Sequence, residues 1–358
     1  MNQDHHDQSE PVKTPCPRQV LVTGATGFVG RALVQRLYEA EPNLVKTVVR
    51  RETSLVPAGV EKRLIGDLAA DTDWRAALRG VEAVVHLAAR VHIMRDTADN
   101  PLREFRRTNV EGTLNLARQA AQMGVRRFIF LSSVKVNGEG QVSIWKRPEK
   151  EPQAPQTGRL DAPDVYRETD TPAPQDAYGV SKHEAEQGLR LLAAATGMEL
   201  VIIRPPLVYG PGVRANFQLL MRAIAKGIPL PLVASNNGRS LVGLDNLVDF
   251  IRTCLAHAAA ANQTFLVSDG DDVSTRELID RIARVMGRPA RLVRVPAPIL
   301  LAGATLCGKR LAAQRLLGSL RVDISKARQV LGWRPPFAME EELKRTVSFW
   351  QSGADVSE

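Results

Sequence analysis

The stretch VLVTGATGFVG, residues 20–30, decides the fold. Its opening residues are mostly β-branched or aliphatic and read as a buried strand, and helical periodicity follows from about residue 27 to 40. Between the two stand Gly24, Gly27 and Gly30. Glycine lets a backbone approach a pyrophosphate closely, and the N–H groups at a helix start favour an anion. The spacing is GxxGxxG, not GxGxxG, and glycine turns between strand and helix are common. The position of this one, directly after a strand that opens an α/β unit, points to a dinucleotide.

Outward from that turn, strands are expected at LVKTVV (44–49), EAVVHLAA (82–89), RRFIFLSS (126–133) and LVIIRP (200–205), with helices over 100–122 and 177–196. Apolar strands separated by helices imply a parallel sheet covered on both faces. The expected fold class is α/β: a Rossmann-type doubly wound parallel sheet over residues 18–212 and a smaller C-terminal α+β substrate lobe that takes up most of 213–350, with some late elements returning to the main sheet. Residues 1–17 read as a disordered leader and 351–358 as a tail. The segment 139–174 carries six prolines and reads either as a lid over the site or as plain disorder.

A net charge of +9 raises the question of nucleic acid, but the basic residues are spread from Arg18 to Arg345 without a dense run. That pattern is a solvated basic surface, suited to a small polyanion and not to nucleic acid. The three cysteines stand far apart, which speaks for a reducing, cytoplasmic setting and against a disulfide framework or a metal site. The longest apolar run, APILLAGATLCG at 297–308, is shorter than the roughly 20 residues a bilayer requires, so no stable membrane insertion is expected. It reads as a buried or amphipathic helix, with membrane-surface contact as the alternative.

Where an acidic residue would bind the ribose hydroxyls of NAD, the second strand ends in Arg50 and Arg51. A guanidinium can fork onto a 2′-phosphate that a carboxylate would repel, so NADP(H) is favoured and NAD(H) remains possible. The bland alternative is an exposed arginine pair with no ligand. In LIGDLAA (64–70), Asp67 could accept the adenine amino group.

AYGVSKHEAE, residues 177–186, places Tyr178 and Lys182 on one helical face. An ammonium about 4 Å from the phenol would favour tyrosinate by about 4 kcal/mol at an effective dielectric of ~20, which is roughly three pKa units. Desolvation would oppose the shift. The expectation is a phenol drawn from about 10 towards 7 and able to carry a proton. Ser133 closes the strand FIFLSS, and strand ends of such sheets face the ligand cleft, where its hydroxyl could bond a carbonyl that Tyr178 protonates. A lone YxxxK is often just a surface tyrosine beside a lysine. With a nicotinamide in the cradle, the three features in this order describe hydride transfer.

Taken together, TGATGFVG, GDL, HLAA, TNVEGT, LSS, YGVSK and RPPLVYGPG resemble the extended short-chain dehydrogenase/reductases, specifically the nucleotide-sugar epimerase/dehydratase group, from about Val20 to Trp350. The resemblance implies a Rossmann domain with a sugar-nucleotide lobe, usually a homodimer joined through two helices per subunit. It implies that Ser133, Tyr178 and Lys182 are catalytic. It implies cofactor contacts from Gly24, Thr26, Gly27, Phe28, Val29 and Gly30, from Arg50, Asp67 and Leu68, and from Leu87, Ala88, Ala89, Asn109 and Pro205, besides Tyr178 and Lys182. On the substrate side it implies Ser133, and, for the nucleotide diphosphate, Asn216 of ANF and Arg239 of NNGRSL. The basic surface would gather such a substrate.

Three chemistries share this scaffold. A 4,6-dehydratase would carry an Asp-Glu pair after the active-site hydroxyl, whereas this chain has Val134 and Lys135. A 4-epimerase keeps its NAD, and a 4-ketoreductase consumes NADPH. Arg50 argues for the reductase, and Lys135 and Asn137 in SSVKVNG depart from the galactose epimerase pattern. The chain looks most like bacterial surface-polysaccharide (O-antigen) enzymes, in which a bulky aromatic before VDISKA limits the C2 substituent; Leu320 near that place leaves room for an N-acetyl group. The favoured expectation is NADPH-dependent reduction at C4 of a UDP-linked 4-keto-6-deoxy-N-acetylhexosamine. The alternative is a UDP-glucose or UDP-N-acetylglucosamine 4-epimerase with tightly bound NAD, and a lipid-linked sugar is a further variant. A dinucleotide-sensing regulator without catalysis is disfavoured, because Tyr178 and Lys182 are both retained.

Overall fold

Val20–Thr23 are fully buried and form the first strand, β1, whose side chains alternate between two cores: Val20 and Val22 on one side, Leu21 on the other. The computed structural model describes residues 17–91, 100–140, 165–232, 237–296 and 318–353, together with 299 and 305. After β1 come α1 (Phe28–Ala40), β2 (Val45–Val49), β3 (Glu61–Leu64), α2 (Arg75–Leu78) and β4 (Ala83–His86). A long helix follows in three parts: α3 (Pro101–Arg106), a π-helical turn (Arg107–Gly112) and α4 (Thr113–Gln122). Then come β5 (Arg127–Leu131), α5 (Ala177–Thr196) and β6 (Glu199–Arg204).

The strands lie in the order β10–β6–β5–β4–β1–β2–β3, all parallel, where β10 is Gln263–Leu266. This is the doubly wound sheet expected. Chain order reverses between β1 and β4, and the carboxyl ends of strands at such a switch point form a ligand crevice. On one face Ile129, Val201 and Ile203 pack with Val20 and Val22; on the other Phe128 and Phe130 pack with Leu21, Leu116 and Leu189.

The later chain supplies β7 (Leu207–Tyr209), α6 (Ala215–Ala225), β8 (Leu230–Leu232), β9 (Leu241–Gly243), α7 (Leu244–Ala256), α8 (Thr275–Val285), β11 (Leu292–Arg294), α9 (Ser325–Leu331) and α10 (Met339–Gln351). It serves both lobes. β10 extends the main sheet, and α7 packs on the α1 face with Phe250 against Phe265 and Trp333. Arg127, buried on β5, donates to the carbonyls of Cys254, Leu255 and His257 and so caps the end of α7. A separate core of Tyr209, Phe217, Met221, Ile282 and Leu343 joins α6, α8 and α10, which form the smaller lobe.

The described ends of the proline-rich segment are anchored. The Gly140 amide donates to the Tyr166 hydroxyl at 3.1 Å, the Tyr166 amide donates to the Arg321 carbonyl at 2.8 Å, and Asn137 Nδ2 donates to the Arg167 carbonyl at 2.8 Å. Residues 141–164, the leader through residue 16, the tail from 354 and most of 297–308 lie outside the described residues.

Candidate active site

The cradle is built by close approach. Gly24 has φ +72°, and a Cβ there would sit 2.7 Å from the Ala88 nitrogen; one on Gly30 would sit 2.0 Å from the Gly24 oxygen. The Gly27 amide donates to that same oxygen at 2.9 Å. α1 therefore starts directly above the ends of β1 and β4, with no side chain capping its first amides, and Thr26, Phe28 and Val29 complete the turn. These residues fit a pyrophosphate, since the first amides of α1 have no side-chain cap and the glycines keep the turn at that helix start tight and free of side chains. Beside it, Thr26, Val49, Arg50, Arg51, Thr53 and Asp67 line a 290 Å³ cleft. Across that cleft Arg50 Nη1 lies 3.5 Å from Asp67 Oδ1, so both residues expected at the adenosine end face one cavity.

Below the cradle, His86 Nδ1 lies 2.7 Å from Thr23 Oγ1 and His86 Nε2 lies 2.9 Å from Thr113 Oγ1. Thr23 Oγ1 also accepts the Ala88 amide at 3.2 Å, which holds the Leu87–Ala89 segment. Burial, aided by the Lys182 charge, pushes His86 down to about 3, so its imidazole is neutral. Asn109 is buried in the π-helical turn. Its Oδ1 accepts the Arg90 amide at 2.8 Å, and its Nδ2 donates to the Arg90 carbonyl and to Ser181 Oγ, both at 3.0 Å. Gly112 of the same turn presses on Leu68, where a Cβ would come within 2.7 Å. A π-helical turn inside a long helix often marks a functional site.

α5 starts at Asp176, whose Oδ1 accepts the Gly179 amide at 2.7 Å. Tyr178 is in the first turn and Lys182 one turn later. Lys182 Nζ donates to the Leu131 carbonyl at 2.8 Å and lies 4.4 Å from the Phe130 ring centroid and 5.9 Å from that of Tyr178. Phe105 of α3 packs edge-on against the Tyr178 ring at 6.1 Å. Ser133 leaves β5 extended and caps a 3₁₀ turn, Val134–Val136, accepting the Lys135 amide at 3.3 Å. The Val134 amide donates to the Pro205 carbonyl at 3.0 Å, and a Cβ on Gly179 would lie 3.0 Å from the Lys135 oxygen. The Ser133 turn, the first turn of α5 and the Pro205 segment thus meet.

The expected fall of the Tyr178 pKa is not found. Burial, with the Asp176 charge second, holds the phenol above its ordinary value, while burial brings Lys182 down to about 7 against the opposing pull of Glu186. The cause is that both groups are dry: desolvation penalises tyrosinate and ammonium alike, and outweighs their mutual attraction.

Beneath this pair lies a buried network absent from the sequence reading. Ser132 Oγ donates to Glu186 Oε1 at 2.6 Å, Arg204 bonds both Glu186 oxygens, and Arg204 Nη1 donates to Asn137 Oδ1 at 3.0 Å. Glu186 follows Lys182 by four residues on α5, and that spacing was the available signal.

In the smaller lobe, Arg239 is mostly buried and bridges to Val273 and Leu320. Leu320 reaches the main lobe: the Ser319 carbonyl and the Leu320 Cβ abut Gly140, in the loop that follows the Ser133 turn. Asn216 is exposed in the first turn of α6. Among the described residues no group of three or more His, Cys, Asp or Glu could hold a metal, and no helix is long and apolar enough to cross a membrane.

The sequence profile of the NAD dependent epimerase/dehydratase family matches residues 20–268, from β1 to just past β10. The chain belongs to that family. It is 44% identical to a UDP-glucose 4-epimerase of Vibrio cholerae over 331 residues, covering 92% of this chain and 94% of that protein. Among solved structures, MoeE5 in complex with UDP-glucuronic acid and NAD aligns at 26% identity and a TM-score of 0.69, over 94% of this chain and 99% of that one. A UDP-glucuronic acid 4-epimerase from Bacillus cereus in complex with NAD shares the fold, at 19% identity and a TM-score of 0.70, over 94% and 100%. The family places the chain among NAD-dependent enzymes of the extended short-chain dehydrogenase/reductase class, as the motifs implied.

Proposed function

We propose that this chain interconverts a UDP-sugar and its C4 epimer, with NAD held in the glycine cradle. The observation that carries the reading is the Tyr178–Lys182 pair, one turn apart, meeting the Ser133 turn beside the carboxyl ends of β5 and β6. The 44% identity to the Vibrio cholerae enzyme supports epimerisation over the reduction favoured from sequence alone. NAD, when bound, supplies a hydride acceptor. Tyr178 would take the proton of the C4 hydroxyl and later return it, and Ser133 would hydrogen-bond the same oxygen as it becomes a ketone. Lys182, where charged, favours tyrosinate, and Glu186 behind it favours the charged form of Lys182. Gly24, Gly27 and Gly30 would receive the pyrophosphate of the cofactor, Asp67 and Arg50 its adenosine end, and Arg239 and Asn216 the UDP of the substrate. A cytoplasmic homodimer is the expected setting.

One observation favours a second reading: Arg50 and Arg51 line the cleft at the ribose end, which suits a 2′-phosphate and hence NADPH-dependent reduction of a 4-keto-6-deoxy sugar. One preparation separates the two. The purified protein is denatured, its released nucleotide identified by mass, and a second sample incubated with UDP-glucose or UDP-N-acetylglucosamine. Retained NAD and formation of the C4 epimer without net oxidation support the proposal. An empty site that fills with NADPH, together with no epimer from either sugar, overturns it in favour of the reductase.

A further inference from the structure

We propose that Lys135 is a positioning residue for proton transfer at Tyr178, holding the carboxylate that caps the catalytic helix in an ion pair and so shielding the phenol from its charge. The inference rests on Tyr178 acting as acid and base, as proposed above.

Lys135 lies two residues past Ser133, at one of the departures from the galactose epimerase pattern. Its Nζ pairs with Asp176 Oδ2 and with Glu139 Oε1, the latter at 3.1 Å. It also lies 5.9 Å from the Tyr178 ring centroid, the same distance as Lys182. Tyr178 therefore has an ammonium on each of two elements. Asp176 cannot swing away to spare the phenol, because its other oxygen is held by the Gly179 amide at 2.7 Å. The pair is partly shielded from solvent, with side-chain exposures of 24% and 22%, so its charges are screened less than those of a fully exposed pair.

The charged groups around the phenol can be counted by element. α5 presents Asp176 and Lys182; the Ser133 turn presents Lys135 and, just beyond it, Glu139. α3 presents the uncharged ring of Phe105, whose other neighbour is the Arg90 guanidinium at 5.5 Å. Lys135 is the cation of this group, and its loss removes the positive charge that offsets the Asp176 and Glu139 carboxyl groups. An ammonium with two carboxylate partners is a poor anchor for substrate, so its effect falls on the enzyme's own phenol, which burial first and the Asp176 charge second push upward.

The test uses the full chain saturated with NAD. In Lys135→Met, kcat/KM for UDP-glucose at a fixed pH below the titration of the phenol should fall about ten- to a hundredfold, the effect of one charge near 6 Å in a partly shielded site. Lys135→Arg should stay near the parent. The double variant Lys135→Met with Asp176→Asn should return towards the parent value, because asparagine still caps the helix without the charge. A lower kcat/KM in Lys135→Met that Asp176→Asn does not restore overturns the proposal, as does a raised KM alone, which would put Lys135 on the substrate. Ultraviolet titration of tyrosinate, with Tyr178→Phe as the blank, reads the same effect as an upward shift of the phenol, without any turnover. A protein that epimerises nothing yet shows the shift would thus contradict the proposed function and leave the role of Lys135 standing; no shift in the titration overturns that role.

Discussion

Glu186 and Arg204 meet in a two-point ion pair, with Arg204 Nη2 2.5 Å from Glu186 Oε2 and Arg204 Nε 2.9 Å from Glu186 Oε1, and both side chains are almost fully buried. Through Ser132 and Asn137 the pair fastens α5 to the end of β5 and to the Ser133 turn. Its removal from one side leaves a buried charge without a partner. Glu186→Ala should therefore cost about 3–5 kcal/mol in urea unfolding, and Glu186→Gln less. Glu186→Gln should also lower the pKa of Lys182 below its value of about 7, which a pH titration of activity can follow.

Gly30→Ala places a methyl 2.0 Å from the Gly24 oxygen, so α1 must move off the turn. Overpacking of this kind costs about 1–3 kcal/mol. The parent should melt at a higher temperature with NAD present, and the variant should lose most of that rise. Calorimetric melts with and without NAD check both effects.

His86 gives the fold an acid limit. Its folded pKa of about 3 lies below the ordinary value near 6.5, so between those values the unfolded chain binds the extra proton. Stability is greatest above the ordinary pKa and falls as the pH drops through that window. About 2–3 kcal/mol should be lost between roughly pH 6.5 and 4.5 from this group alone. His86→Gln, which does not titrate, should flatten that part of the curve in urea unfolding at a series of pH values.

Asn109 ties the loop after β4 to α5 with three hydrogen bonds. Asn109→Ala should weaken NAD binding about tenfold, the worth of roughly one such bond beyond what water replaces. Equilibrium titration with NAD measures it, and Ser181→Ala should produce a smaller change in the same direction.

The sheet and the cradle were legible in the sequence because they rest on local pattern. Val20–Thr23 alternate between two cores, and a glycine turn follows at once. The shared face of Tyr178 and Lys182 follows from helical spacing, and Asp176 before AYGVSK is an ordinary helix start. The π-helical turn at Asn109 was not legible, since apolar periodicity runs on through 100–122 while one inserted residue leaves no local mark. A late element was expected to return to the main sheet, but β10 could not be singled out, because Gln263–Leu266 is a four-residue strand inside a helix-rich stretch. The Tyr178 pKa was misjudged for a different reason: helical spacing gives the distance between two groups but not how much surface closes over them. Arg204, on β6, pairs with a helix residue only once the sheet is assembled, and the same holds for Lys135 and Asp176.

The most direct test of the account is the interconversion of UDP-glucose and its C4 epimer by the NAD-saturated protein, measured for the parent chain and for Tyr178→Phe. The parent should bring either sugar to the same equilibrium mixture without net consumption of NAD. Tyr178→Phe should bind NAD as the parent does and turn over about 10²–10⁴ times more slowly. Conversion at the parental rate in Tyr178→Phe would leave the proton without its carrier and contradict the account.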